Sequence, residues 1–292
     1  MSPLRLTLFA DDTNFFVESE NLDQVKLVTR QASTKIDHWI NINGLVNNTD
    51  KTMGIIFNRG RESNQNHPGD EADWGQTINF VPSARFLGVL IDSSLNYKDH
   101  VDMLCSKLNS GCYMLRSLRD KIDDHCLKSV YYAHVHSHIS YGIMLWGNST
   151  RASDVFVCQK RAIRILKRGS YNDPCRAWFG ELQILTLPSL YILETLKFVK
   201  RNLDKFECVG PGTVYQTRYR ENNQNTIRTE AHKTALFERS VRHNGGILFN
   251  ALPEHIKILN MDKFDSTLKQ TLIRHSFYSV AEYLEFFQGG SG

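Results

Sequence analysis

The chain has 292 residues, with 35 lysines and arginines against 31 aspartates and glutamates, a formal net charge of +4. At about 150 residues per domain, this length allows two domains and a core that needs no covalent staples. A hydrophobic share of 41% with 23% charged residues excludes collagen-like, coiled-coil and wholly disordered classes, and the charge excess is too small to name a nucleic-acid partner by itself.

The N-terminal apolar stretch, Leu4 to Ala10, runs into Asp11 and Asp12. It is too short for a signal peptide and has the wrong flank. With Phe15, Phe16 and Val17 beyond the polar turn, it reads as a β-hairpin. A hairpin needs sheet neighbours for stability, so the chain is expected to open partway through a domain. From Ser19 to Ile42, Leu22, Val25, Val28, Ala32, Ile36 and Trp39 recur at helical steps, and Asn43-Gly44 ends the pattern. Strand-like Met53–Phe57 follows, then a polar loop over 59–73. A third β-like segment, Ile78 to Val81 and Phe86 to Ile91, is split by Pro82.

After Asp92 the period changes. His100 to Leu118 carries Val101, Leu104, Cys105, Leu108, Cys112 and Leu115 on one helical stripe. Helical patterning resumes over Cys126–Trp146, Val155–Leu166 and Leu187–Leu203. After a polar loop at 211–225 it returns over Lys233–Leu248 and Lys263–Phe287. The expected divisions are 1–92, 93–210 and 211–288, with 289–292 a Gly-rich tail set apart from the fold. The six cysteines form no CxxC pair and read as reduced thiols of an intracellular protein. No stretch approaches the roughly 18 apolar residues of a membrane span, so no membrane partner is expected.

Two features carry possible chemistry. Lys160, Arg161, Arg164, Lys167 and Arg168 fall on one side of a Val155–Arg168 helix, opposite Val155, Cys158, Ala162, Ile165 and Leu166. Like charges so placed repel unless anions neutralise them, and a phosphate backbone is one such anion; a solvated helix face is the other reading. Tyr171 and Trp178 lie nearby, as base-stacking rings or as core. The second feature is Asp11-Asp12 at a hairpin tip, where carboxylates suit Mg²⁺ and two-metal phosphoryl transfer, although Asp-Asp-Thr is also ordinary turn chemistry. His134, His136 and His138, with Cys126 upstream, lack a paired-cysteine motif for zinc.

Phe9-Ala10-Asp11-Asp12-Thr13 resembles the aspartate-pair motif of reverse transcriptases. Trp39 to Leu45 with Asn47 and Lys51-Thr52 is similar to the next block of non-LTR (LINE-type) retrotransposon polymerases. Phe86-Leu87-Gly88 through Asp92, with Leu95, Asn96 and His100, resembles their primer-grip hairpin and thumb entry. Tyr141-Gly142, Trp146-Gly147, Gln159 to Arg164, Phe249-Asn250, Leu252-Pro253 and Phe277 to Ser279 continue the series over nearly the whole chain. The resemblance implies an α+β fold, a truncated palm remnant of a few antiparallel strands and one helix, then a mostly helical thumb and C-terminal region. It assigns Asp11 and Asp12 to the catalytic Mg²⁺ site, Lys51 to the nucleotide phosphates, and Leu87 and Gly88 to the primer grip.

That family's other ligating aspartate and its fingers would lie upstream of Met1. The implied function is therefore a fragment of an RNA-directed DNA polymerase. It would bind RNA, DNA or RNA–DNA hybrid and use dNTPs only when completed by an upstream palm and fingers. The alternatives are a non-enzymatic helical module that binds nucleic acid or protein, and an inert relic of a decayed element.

Overall fold

The computed structural model describes residues 4–10, 12–57, 78–206, 226–228, 237 and 240–289. The expected loop at 59–73, the polar loop at 211–225, the start of the Lys233–Leu248 helix and the last three tail residues lie outside them. The fold is mixed α+β and mostly helical. It divides into two units, with the break after Ser94.

In the first unit, β1 (Leu4–Phe9) and β2 (Asp12–Val17) form an antiparallel hairpin, in register from Leu4 opposite Val17 to Phe9 opposite Asp12. Helix α1 (Leu22–Ile42) starts where the Asn21 side chain accepts the Asp23 N–H at 2.8 Å, satisfying one of the donors every helix start leaves open. It ends at Asn43, and Gly44 takes φ +67°, the left-handed step that closes helices. The helix buries Thr29, Ala32 and Ser33, while Val25, Val28, Ile36 and Ile40 are half-buried beside them.

A 3₁₀ turn at Thr49–Lys51 leads into β3 (Met53–Gly54), which pairs in parallel with β4 (Asn79–Phe80). The expected remnant was antiparallel throughout; this pair is parallel, which the 24 residues between Gly54 and Asn79 are long enough to permit. The segment expected to run from Phe86 to Ile91 is instead two strands, β5 (Ser83–Phe86) and β6 (Val89–Asp92). Leu87 and Gly88 take φ +44° and +86° between them. Two consecutive positive φ values are the type I′ pattern, whose twist suits a two-residue hairpin.

The second unit is helical. Helix α2 (Lys98–Leu118) buries Val101, Leu104, Leu108, Cys112 and Leu115, the stripe its sequence sets out. The periodicity of 126–146 suggested one helix, but the chain forms four pieces. These are α3 (Asp124–Tyr131), a π-helical turn (Tyr132–His136), α4 (Ser137–Ser140) and α5 (Ile143–Trp146). Gly142 breaks the last two apart at φ +61°. Next come α6 (Ala152–Leu166), α7 (Arg176–Glu181) and α8 (Leu187–Arg201). The chain closes with α9 (Val241–Ala251), α10 (Glu254–Lys257), α11 (Met261–His275) and α12 (Val280–Gly289).

Helix α8 is buried on most of its circumference and packs against α9 and α11. Pro188 sits in its first turn, where a missing N–H costs nothing. The core gathers Tyr131, Trp146, Phe179, Tyr191, Phe249, Phe264 and Tyr283. Among the described residues no helix is long and apolar enough to cross a membrane.

Candidate nucleic-acid interface

Asp12 is the first residue of β2, exposed and opposite Phe9, and Ala10 makes the turn at φ +51°. Asp11 lies outside the described residues. Among those residues Asp12 joins no set of three or more close metal-ligating side chains.

Lys51 ends the 3₁₀ turn and is exposed, its N–H donated to Asn48 Oδ1 at 3.2 Å. That turn is tied to α1: Thr52 Oγ1 donates to Asn47 Oδ1 at 3.2 Å, and Asn47 Nδ2 donates to Asp37 Oδ1 at 3.0 Å. Leu87 and Gly88 form the tip of the β5–β6 hairpin, as their positive φ values require.

The five basic residues of the 155–168 segment do not share one open face. Helix α6 ends at Leu166, and Arg168 turns to φ +52°. The last two cations are then taken by acids brought from elsewhere in the chain. Lys167 Nζ lies 2.6 Å from Glu181 at the end of α7. Arg168 Nη1 lies 2.7 Å from Asp124 at the start of α3, and its Nη2 donates to the Arg119 carbonyl at 2.9 Å. The Asp124 carboxylate raises the Arg168 guanidinium further above its ordinary range. Neutralisation of these two charges is intramolecular.

Lys160, Arg161 and Arg164 remain without a carboxylate partner among the described residues. Lys160 Nζ sits 4.8 Å above the Phe156 ring and 5.6 Å above that of Tyr278. Arg161 Nη1 donates to Asn109 Oδ1 of α2 at 2.7 Å. Arg164 Nε donates to the Asp173 carbonyl at 2.9 Å. The opposite side of α6 is buried as expected, with Val155, Cys158, Ala162, Ile165 and Leu166 in the core. Tyr171 is exposed, while Trp178 packs partly against the core.

Arg116 on α2 is a cation the sequence pattern passed over. It is exposed and has no carboxylate partner among the described residues. It extends the unneutralised basic surface from α6 onto its neighbour. The signal was present as a basic residue on α2's own surface, but only the packing of α2 against α6 joins the two helices.

The histidines separate. His134 is exposed, and His136 is half-buried, its titration lowered by burial and then by Lys269. His138 is lowered by burial first and by Lys107 and His134 after it. Asp123, His125 and Cys126 do come together as exposed groups within 4.8 Å of one another. Asp123, however, already caps α3, accepting the Cys126 N–H at 2.9 Å, and it pushes the Cys126 thiol up. Geometrically the set is the N-terminal cap of α3.

No family model, no curated protein and no solved structure matches the chain.

Proposed function

We propose that the chain is a C-terminal portion of a LINE-type RNA-directed DNA polymerase. On this reading it holds nucleic acid through its helical unit and does not polymerise DNA unaided. The observation that carries the binding half is the surface of Lys160, Arg161, Arg164 and Arg116, basic and without carboxylate partners among the described residues. Supporting the polymerase half is the motif order, with Asp12 opening the returning strand of one hairpin and Leu87-Gly88 at the tip of another, ahead of the helices that follow Ser94.

In the complete enzyme Asp11 and Asp12 would hold Mg²⁺, which supplies charge neutralisation at the attacking and leaving oxygens. Lys51 would lie by the dNTP phosphates, and Leu87 and Gly88 by the primer end. A further carboxylate would have to come from another segment or chain. A second reading keeps the basic surface and drops the catalysis: a helical nucleic-acid-binding module derived from such an element.

Filter binding to primed RNA template at two salt concentrations tests the binding half. Binding that weakens as salt rises, and more weakly so in a Lys160, Arg161, Arg164→Gln triple variant, is expected. No binding overturns it. Primer extension by the chain alone, abolished by Asp11→Ala, overturns the claim of dependence on another segment.

A further inference from the structure

Three exposed side chains stand together where α2 packs on α6. Asn109, Tyr113 and Arg116 are spaced four and three residues apart on α2, so they line one ridge of that helix. Arg161 reaches across from α6 and is fixed to the ridge by its 2.7 Å hydrogen bond to Asn109. Beneath them lies buried Cys112. Burial pushes its thiol up, while the charges of Arg161 and, to a lesser degree, Arg116 pull it back.

Arg116, on the ridge, and Arg161, hydrogen-bonded to it, have no carboxylate partner among the described residues, which leaves their charge for an anion from outside. Between Asn109 and Arg116 stands the Tyr113 ring, 70% exposed. That ring is open to solvent on the same ridge as Arg116.

We infer that the Asn109–Tyr113–Arg116 ridge with Arg161 is a binding site for single-stranded nucleic acid, the arginines holding successive phosphates and Tyr113 stacking on an unpaired base. This inference rests on the nucleic-acid reading above and narrows it. In a duplex the bases are stacked on one another, so their faces are not available to a surface ring; an unpaired strand offers them freely.

The test compares three probes of equal length on the full chain: oligothymidylate, a blunt DNA duplex, and an abasic strand with the same phosphates. The chain should bind oligothymidylate roughly tenfold more tightly than the abasic strand. Tyr113→Ala should erase that difference and Tyr113→Phe keep it. Arg116→Gln and Arg161→Gln should weaken both single strands, each flattening the salt dependence by about 0.7 in log–log slope.

Circular dichroism confirms that the variants fold; a Tyr113→Ala chain that unfolds leaves the oligothymidylate-to-abasic ratio of the parent as the deciding readout. Equal affinity for all three probes overturns the single-strand site while leaving nucleic-acid binding intact. Affinity for none of them overturns the broader function as well. Displacement of oligothymidylate by polyglutamate at equal charge marks the surface as one for acidic protein, and also overturns it.

Discussion

Gln159 is completely buried and spends every polar atom of its amide. Its Nε2 donates to the Leu185 carbonyl at 2.9 Å and to the Tyr131 hydroxyl oxygen at 3.0 Å, and its Oε1 accepts the Leu187 N–H at 2.8 Å. It thereby fastens α6 to the start of α8. Gln159→Leu leaves those backbone groups dry and unpaired, so unfolding free energy should fall by about 3 kcal/mol in a denaturant titration; an unchanged midpoint would show the clamp to be dispensable. Leu87 illustrates the reverse. At φ +44° a leucine is strained where asparagine is not, and Leu87→Asn should raise stability by roughly 0.5–1 kcal/mol, read as slower amide exchange across β5–β6. Both positions show how far sequence reaches at this scale. The resemblance implies a hairpin at Leu87-Gly88, whereas strand patterning alone puts the break at Pro82, five residues before Leu87. The acids that neutralise Lys167 and Arg168 were out of reach, since periodicity along one helix says nothing of Glu181 or Asp124 arriving from others.

Helices were the most readable elements, since a buried stripe repeats every three to four residues; Val101 to Leu115 on α2 follows that rule residue by residue. The π turn at 132–136 escaped notice because one extra residue per turn shifts a stripe without erasing it. That turn is where Gly111 matters. A Cβ there would meet the His134 carbonyl oxygen at 2.9 Å, so α2 approaches the π turn only without a side chain. Although alanine is the better helix former, Gly111→Ala should cost about 1–3 kcal/mol, measured by urea unfolding. The same helix contacts α6 through Cys105, whose thiol is pushed up to about 12 by burial, then by Cys158 beside it. The folded chain thus keeps a proton that the unfolded chain releases near 9.0. Its stabilising effect is intact below that pH and is lost as pH rises through about 12. Unfolding midpoints should therefore drop from pH 8 to about pH 10.5, and drop less in Cys105→Ala; identical alkaline losses would contradict this.

The two units differ in how much apolar surface they hide. Buried apolar residues in the first are Ala32, Ile78 and Val89 among those described, while Leu8, Phe9, Trp39 and Ile42 are at least 60% exposed. The second buries a continuous aromatic and aliphatic core. Limited proteolysis should consequently cut within the first unit and leave a resistant fragment beginning near Leu95; cleavage first among α2, α6 and α8 would contradict the difference. The change of period after Asp92 is plain in the sequence, and the structure divides after Ser94. What was not plain is that the strands among the described residues form three separate pairs, because pairing depends on partners distant in the chain. A single labelled-primer reaction bears on the whole reading most directly: the full chain, an RNA template carrying a DNA primer, Mg²⁺ and dNTPs, resolved on native and denaturing gels. The expected result is a shifted complex, weakened by salt, with the primer unextended. Absence of any shift, or a lengthened primer that disappears with Asp12→Ala, is the result that refutes it.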